Sequence, residues 1–302
     1  MYGSQAGDLA HYFHPDTHWD TQWYTEPSGM PPPLRDNNNR LWKGMFSYKG
    51  NMQTTQMVVL FSDLSVCWAS VTFNKANPSD AQRHAEYLTP PTQLSKDVLI
   101  EAHETYGETI AAFAESFLQS GQFCARGECW DLANEAIKYF EQFDYVPKPI
   151  PSLNRTHGHL IFEGRALGKG KQVGRWRGGD DRVRRGDIVE WRSVKINFVN
   201  AVPGSWAILG DPEHTAVITK DSIPTRSPQD GRSLLPSELV SLEVVEQSRN
   251  NQPPEPNKKT YDMAAFEEGE VWIYRPIALE VYLGIPDLTP TSSEGVRDTL
   301  SY

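Results

Sequence analysis

The sequence is short of cysteine, of basic charge and of long apolar runs, and each shortage excludes a class of protein. Three cysteines in 302 residues are too few for a disulfide framework, and the odd number leaves at least one thiol free. A net charge of −10 argues against a dedicated nucleic-acid binder, which gains its affinity by neutralising phosphates. No apolar run approaches the roughly 18 residues that a membrane-spanning helix needs.

The N-terminus also lacks the basic and apolar regions of a secretory signal. Free thiols fit a reducing compartment. Together these features predict a soluble, cytoplasmic protein that is long enough to bury a sizeable core. They are equally compatible with a fragment of a longer protein.

Changes of composition along the chain predict three successive parts. Residues 1–35 are rich in Gly, Pro and scattered aromatics without any period, which is typical of a flexible arm. Residues 36–283 are predicted to form a single domain, with a β-rich lead-in over 36–93 and a core over 94–283. The polar residues 284–302 are predicted to form a disordered tail.

The lead-in is predicted to be an antiparallel meander. Three runs rich in β-forming residues are separated by short turns, at 41–48, 54–61 and 65–73. Loops containing proline are predicted after them, at 77–80 and 89–92.

Two amphipathic helices are predicted to follow the meander. Ser95 is placed to cap a long helix over 96–119, whose apolar side chains recur on one stripe. Gly121 ends that helix. The next apolar residues at helical spacing, Ala133, Ala136, Ile137 and Phe140, predict a second helix with Cys129 in or next to its first turn.

Cys129 follows a turn that Gly127 permits and lies in the first turn of the second helix. Unpaired N–H groups and the positive end of the helix dipole favour a negative group there. A thiol in this position ionises more easily, and the thiolate is the nucleophile. The alternative is a buried structural cysteine, which is the commoner fate of a free cysteine.

A thiol hydrolase also needs a base that takes the thiol proton and a group that orients the base. His214 begins a strand after a Gly-Asp-Pro turn, and Glu246 lies on the following strand. Gln247 takes the place of Glu246 if the register differs by one residue. Taken alone, His214 is better explained as an ordinary strand-end histidine and Glu246 as a solvated strand carboxylate, so the hypothesis depends on their joint placement.

Two sets of potential metal ligands are present: His11, His14 and His18, and Cys124, Cys129, His157 and His159. The first set has no cysteine or nearby acid to complete it. In the second set the two histidines are only two residues apart, and no supporting shell is evident. We therefore predict neither a metal nor a cofactor.

Residues 165–185 are unusual in combining glycine with basic charge. Six glycines fall between 164 and 179, and eight basic side chains lie between 165 and 185. This composition predicts a mobile, solvated loop. The alternative is a site for an anion or an acidic partner.

Four stretches resemble the papain-like cysteine hydrolases of the CHAP type: 127–132 (GECWDL), 185–189 (RGDIV), 214–218 (HTAVI) and 243–247 (EVVEQ). The resemblance implies an α+β fold of the papain-like cysteine-proteinase kind, with the nucleophile helix packed on an antiparallel sheet. Carried over residue by residue, it implies Cys129 as nucleophile, His214 as base and Glu246 as the orienting acid.

The sequence departs from that family at two accessory positions. Ser248 stands where the family has an asparagine two residues after the acid. Gln122 is near the place of the oxyanion-hole glutamine of papain, but one residue too far upstream. Gln122, Gln247 and Ser248 are therefore accessory candidates.

A resemblance over residues 30–282 rests on three further stretches: 99–107 (LIEAHETYG), 210–214 (GDPEH) and 266–275 (FEEGEVWIYR). They are similar to the C-terminal cysteine-proteinase-fold domain of fungal cortical actin-patch scaffolds, SH3-containing proteins that interact with myosin-I tails. This resemblance implies a cytoplasmic domain at the actin patch, with the actin-patch and myosin-I machinery as partners.

The resemblance leaves two functions open, because some members of the group lack the cysteine. One is a thiol hydrolase that cleaves an amide, peptide or isopeptide bond. The other is a catalytically inert protein-interaction domain of a scaffold.

Overall fold

The computed structural model describes residues 4–26, 29–36, 39–91, 94–202, 204–284, 286–291 and 298–299. Contacts divide the chain into two compact units, Met1–Thr92 with Glu280–Tyr302 and Gln93–Leu279. Each unit has its own hydrophobic core. Within the described residues, no helix is long and apolar enough to cross a membrane.

The first unit is built on an antiparallel sheet. Its elements are α1 (Gln5–Tyr12), α2 (Pro32–Arg35), β1 (Arg40–Lys49), β2 (Met52–Phe61), β3 (Val66–Asn74), β4 (Asn77–Leu88) and β12 (Asp298–Thr299). The strand order is β1-β2-β3-β4-β12. The predicted three-stranded meander is confirmed as β1, β2 and β3, because each pairs with the next in antiparallel register.

The loop predicted at 77–80 was wrong, because these residues begin β4. This strand pairs with β3 along its length. Its side chains are mostly polar and partly exposed, and with no β-branched residue and a single aromatic one, Tyr87, it lacks the composition by which strands are recognised.

The segment expected as an N-terminal arm contributes α1 and buried aromatic side chains. Ser4 Oγ accepts a hydrogen bond from the Gly7 N–H at 3.0 Å and so caps α1. Leu9 and Phe13 are buried in the same cluster as Met57 of β2. The tail expected at 284–302 lies partly outside the described residues.

The second unit contains two main helices and a seven-stranded sheet. Its elements are α3 (Lys96–Glu115), α4 (Cys129–Lys138), β5 (His159–Leu167), β6 (Gln172–Trp176), β7 (Ile188–Phe198), β8 (Ala207–Ile218), β9 (Ser241–Glu246), β10 (Asn257–Asp262) and β11 (Glu268–Arg275). The short helix α5 (Leu279–Leu283) follows, and its residues from Glu280 onwards belong to the first unit. The strand order is β10-β9-β8-β7-β11-β5-β6.

The sheet of the second unit is antiparallel and partly closed. Strand β10 pairs with β9 on one side and also with β7, through Tyr261 opposite Phe198. Strands β7 to β10 therefore form a ring with a packed interior. The expected α+β class with an antiparallel sheet is confirmed.

Helices α3 and α4 pack together on one face of this sheet. Their buried side chains share a cluster with Ile188, Val217 and Val245 of the strands. Ser95 Oγ accepts a hydrogen bond from the Val98 N–H, as predicted for the cap of α3. The helix ends at Glu115, four residues before the predicted end.

The prediction of a mobile loop at 165–185 was wrong. Its first part forms the β5–β6 hairpin, and its last part is tied by ion pairs within the second unit. Buried Arg275 donates to Asp187 Oδ1 at 2.8 Å and also pairs with Asp180. Arg184 donates to Asp180 Oδ1 at 3.0 Å. The segment is held because these carboxylates need the guanidinium groups as partners.

Candidate active site

Cys129 is the first residue of α4 and follows a tight lead-in. Gly127 has a φ of +82°, and a Cβ on it would lie 3.0 Å from the Phe123 ring. The Glu128 N–H donates to Asp131 Oδ2 at 3.2 Å, which ties the lead-in to the first helical turn. As the first residue of α4, Cys129 lies at the positive end of the helix dipole. It is partly exposed, so its thiol is within reach of solvent.

His214 and Glu246 face each other where β8 and β9 diverge. These strands are paired at Val217–Val245 and Ile218–Val244. Beyond that pairing, His214 Nε2 lies 2.9 Å from Glu246 Oε2. Cys129 Sγ lies 4.0 Å from the carbonyl oxygen of Glu213, the residue before His214. The start of α4 thus reaches β8 beside the histidine.

The hydrogen bonds assign the two nitrogens of His214. A carboxylate can only accept, so His214 Nε2–H donates to Glu246, and Nδ1 is left for the thiol. Burial alone lowers the pKa of His214. The hydrogen bond with Cys129, followed by the hydrogen bond and charge of Glu246, raises this pKa to about 10. The site therefore favours an imidazolium at neutral pH.

Glu246 has a second partner that the sequence reasoning missed. The Tyr261 hydroxyl lies 2.9 Å from Glu246 Oε1 and 2.9 Å from Oε2. Burial, and then the charge of Glu246, raises the pKa of Tyr261 well above its usual range, so the hydroxyl keeps its proton and donates. In the sequence, the signal for Tyr261 is that it is an aromatic residue among the polar residues of strand β10.

Gln247, the residue that follows β9, holds the lead-in to Cys129. Its Oε1 accepts from the Cys124 N–H at 3.0 Å, and its Nε2 donates to the Cys124 carbonyl at 3.0 Å and to the Glu128 carbonyl at 2.8 Å. Gln247 is fully buried. The amide therefore supports the cysteine loop, and it is Glu246 that contacts His214.

The two remaining accessory candidates have contacts elsewhere. Gln122 is exposed, and its backbone bonds to the Ser120 hydroxyl. Ser248 begins the turn after β9, where its carbonyl accepts from the Asn251 N–H at 2.8 Å. The described contacts link neither of them to Cys129.

The other two cysteines differ from Cys129 in exposure. Cys67 and Cys124 are both buried. Burial raises the pKa of the Cys124 thiol to about 12 and that of Cys67 still further. These two thiols should therefore react slowly and can serve as internal references.

The histidines of the second set of potential metal ligands are engaged in other contacts. His157 Nδ1 lies 2.6 Å from Ser152 Oγ, and its Nε2 lies 3.2 Å from Glu190 Oε2. His159 Nε2 lies 3.3 Å from the Arg177 carbonyl. Among the residues that the structure describes, no three His, Cys, Asp or Glu side chains are grouped to hold a metal.

The fold and this constellation define a class: an α+β unit in which a cysteine at a helix start meets a histidine and a carboxylate on adjacent strands. The family model described as the AIM3/BBC1 cysteine-proteinase-fold domain matches residues 81–287. The chain belongs to this family, which confirms the resemblance found in the sequence.

Two curated fungal proteins are similar to the chain. Altered inheritance of mitochondria protein 3 of Debaryomyces hansenii is 25% identical over 216 residues, which are 68% of this chain and 22% of that protein. An SH3 domain-containing protein of Schizosaccharomyces pombe is 24% identical over 258 residues, which are 84% of this chain and 14% of that protein. The chain thus spans less than a quarter of either relative. No solved structure matches it significantly.

Proposed function

We propose that the second unit is a papain-like thiol hydrolase that cleaves an amide, peptide or isopeptide bond through an acyl-enzyme on Cys129. The observation that carries this proposal is the hydrogen bond between His214 and Glu246 beside the Cys129 thiol, whose Sγ lies 4.0 Å from the carbonyl oxygen of Glu213. A thiol, a base and a group that orients the base are the set required for nucleophilic catalysis by cysteine.

In the first half-reaction, His214 Nδ1 takes the Cys129 proton and the thiolate sulfur attacks the substrate carbonyl carbon. The carbon–sulfur bond forms while the carbonyl π electrons move to its oxygen. When the tetrahedral intermediate collapses, the carbon–nitrogen bond breaks. The imidazolium returns its proton to the leaving nitrogen, so an amine departs and a thioester remains.

In the second half-reaction, neutral His214 removes a proton from water, and the resulting hydroxide attacks the thioester. The carbon–sulfur bond breaks, the carboxylic acid leaves, and the thiolate–imidazolium pair is restored. Glu246 keeps the ring in one tautomer and stabilises its charge throughout.

The start of α4 supplies the group that stabilises the oxyanion. The N–H of Cys129 is one of the first four of the helix and has no partner within it. It points with the helix dipole towards negative charge that develops beside the sulfur. In this proposal Gln122, Gln247 and Ser248 have no direct contact with the substrate.

The test is the rate at which each cysteine is alkylated by iodoacetamide, measured by peptide mass spectrometry between pH 5 and pH 10. We expect Cys129 to react at pH 6 at least about tenfold faster than Cys124 or Cys67, because His214 can take its proton while burial raises the pKa of the other two thiols. His214→Ala should remove that advantage at pH 6 and leave little difference at pH 10.

His84→Ala is the matched control, because His84 is exposed on β4 and pairs with Glu86. It should leave the alkylation profile of Cys129 unchanged. If Cys129 reacts at pH 6 as slowly as an ordinary thiol, and equally in wild type and His214→Ala, the hydrolase proposal is wrong.

A second function, an inert interaction module within a larger scaffold, is favoured by the lengths of the relatives. The chain corresponds to 22% and 14% of them, and one of them is named for its SH3 domain. In this case the partners are proteins of the cytoplasmic actin patch, including the myosin-I machinery, and the site binds without cleaving. A silent Cys129 in the alkylation test would favour this function.

A further inference from the structure

We infer that Tyr261 is a fourth member of the site, a positioning residue that fixes the carboxylate of Glu246 and through it the ring of His214. This inference rests on the proposed function, because it concerns the same constellation. The contact chain then runs from Cys129 through His214 and Glu246 to Tyr261.

Tyr261 approaches Glu246 from inside the ring of strands β7 to β10. The residue is fully buried. Its aromatic ring stacks on Phe198 at 5.2 Å between centroids and meets Trp191 edge-on at 5.7 Å. Because the ring is held between these neighbours, the direction of the hydroxyl is fixed by packing.

The hydroxyl is shared between both oxygens of Glu246, each at 2.9 Å. Glu246 Oε2 also accepts from His214 Nε2. Without a further hydrogen-bond donor, the carboxylate of a glutamate can rotate about its last side-chain bond. A donor placed across both oxygens removes that freedom and keeps Oε2 turned towards the histidine.

The described groups that contact Glu246 come from two neighbouring strands, and both of them can donate a hydrogen bond to it. His214 faces it from β8 and Tyr261 from β10. Lys259, two residues before Tyr261, lies over the Phe198 ring at 5.5 Å. The hydrogen bonds from Tyr261 and His214 therefore give both oxygens of this largely buried carboxylate a donor.

The experiment compares wild type with Tyr261→Phe, which keeps the aromatic ring and removes the hydroxyl. Its control is Tyr106→Phe, because Tyr106 is also buried in the second unit and donates its hydroxyl to the Pro147 carbonyl at 2.7 Å. Two quantities are followed between pH 4 and pH 9: the alkylation rate of Cys129 and the side-chain ¹⁵N shifts of His214.

We expect Tyr261→Phe to change the side-chain ¹⁵N shifts of His214, because the Glu246 carboxylate is then free to turn away from the imidazole ring. The alkylation rate of Cys129 at pH 6 should also fall several-fold. Tyr106→Phe should change thermal stability alone and leave both profiles in place.

The outcomes separate this inference from the proposed function. If wild-type Cys129 reacts fast but Tyr261→Phe has wild-type profiles, the role of Tyr261 is overturned and the hydrolase stands. If wild-type Cys129 is unreactive while the His214 shifts still move in Tyr261→Phe, the hydrolase fails and the positioning role is supported. Unchanged His214 shifts overturn the positioning role in either case.

Discussion

At the scale of single residues, His214 is largely shielded from solvent, and yet its neighbours favour its charged form. Burial normally favours a neutral imidazole. Here the Cys129 thiol and the Glu246 carboxylate act against burial and raise the pKa of His214 to about 10. A positive charge that persists through neutral pH is what a neighbouring thiolate requires.

This raised pKa predicts how stability depends on pH. The folded chain binds a proton at His214 more tightly than the unfolded chain does, so the stabilisation is complete below about pH 6.5 and is lost as the pH rises towards about 10. Replacing His214 by Ala should therefore lower the free energy of unfolding by roughly 2 kcal/mol or more at pH 6 and much less at pH 10. Urea unfolding at both pH values measures this difference.

The exposed His84 provides the comparison for this prediction. His84→Ala should give the same small change at pH 6 and pH 10. An effect of His214→Ala that is as large at pH 10 as at pH 6 would mean that packing, and not charge, is lost.

At the scale of secondary structure, elements with a strong local signal could be predicted from the sequence. The start of α3 follows from its cap at Ser95, and the start of α4 follows from the apolar spacing after Cys129. Strands β4 and β6 could not be predicted, because they are polar or glycine-containing and are stabilised by pairing with distant strands.

The site shows the same limit. The sequence selects Cys129, His214 and Glu246, whose side chains are in contact in the structure. It leaves Glu246 and Gln247 as alternatives, because the register of β9 is set by its partner strands. Tyr261 belongs to no motif. It reaches Glu246 from the neighbouring strand β10, so only the tertiary structure reveals the contact.

Arg275 pairs with two aspartates in the segment that follows the β5–β6 hairpin. Replacing Arg275 should therefore cause a large loss of stability. Arg275 is 1% exposed and pairs with both Asp180 and Asp187. Arg275→Met leaves two buried carboxylates without this partner and should cost about 3–5 kcal/mol of unfolding free energy. Chemical denaturation measures the loss.

The control is Arg226→Met, since Arg226 is largely exposed and pairs with Glu238 at the surface. It should leave the denaturation midpoint nearly unchanged. Equal losses in both variants would show that the buried pairs contribute no more than a surface pair.

At the scale of the whole molecule, the described chain has two cores where the sequence predicts one domain over 36–283. The division lies at 92/93, next to the expected boundary between lead-in and core, and residues 280–302 belong with the first unit. The cluster around Met57 lies entirely in the first unit, and the clusters around Ile273 and Val217 lie in the second.

Separate cores predict separate unfolding transitions. Met57→Ala and Ile273→Ala each remove a fully buried side chain from one core and should each cost about 2–5 kcal/mol. In scanning calorimetry, each variant should lower the temperature of a different transition. A single peak that both variants shift together would contradict independent unfolding.

The two neighbouring residues at the end of β9 have a consequence for errors in folding. Glu246 and Gln247 project to opposite faces and serve opposite halves of the site, the histidine and the cysteine lead-in. A slip of β9 by one residue exchanges the two faces. It would place an amide at the imidazole and a carboxylate beneath the carbonyls of Cys124 and Glu128, where a donor is needed. A misfolded chain with this register would therefore lose both the orientation of His214 and the support of the Cys129 lead-in. It would not expose a reactive Cys129 thiol without its histidine.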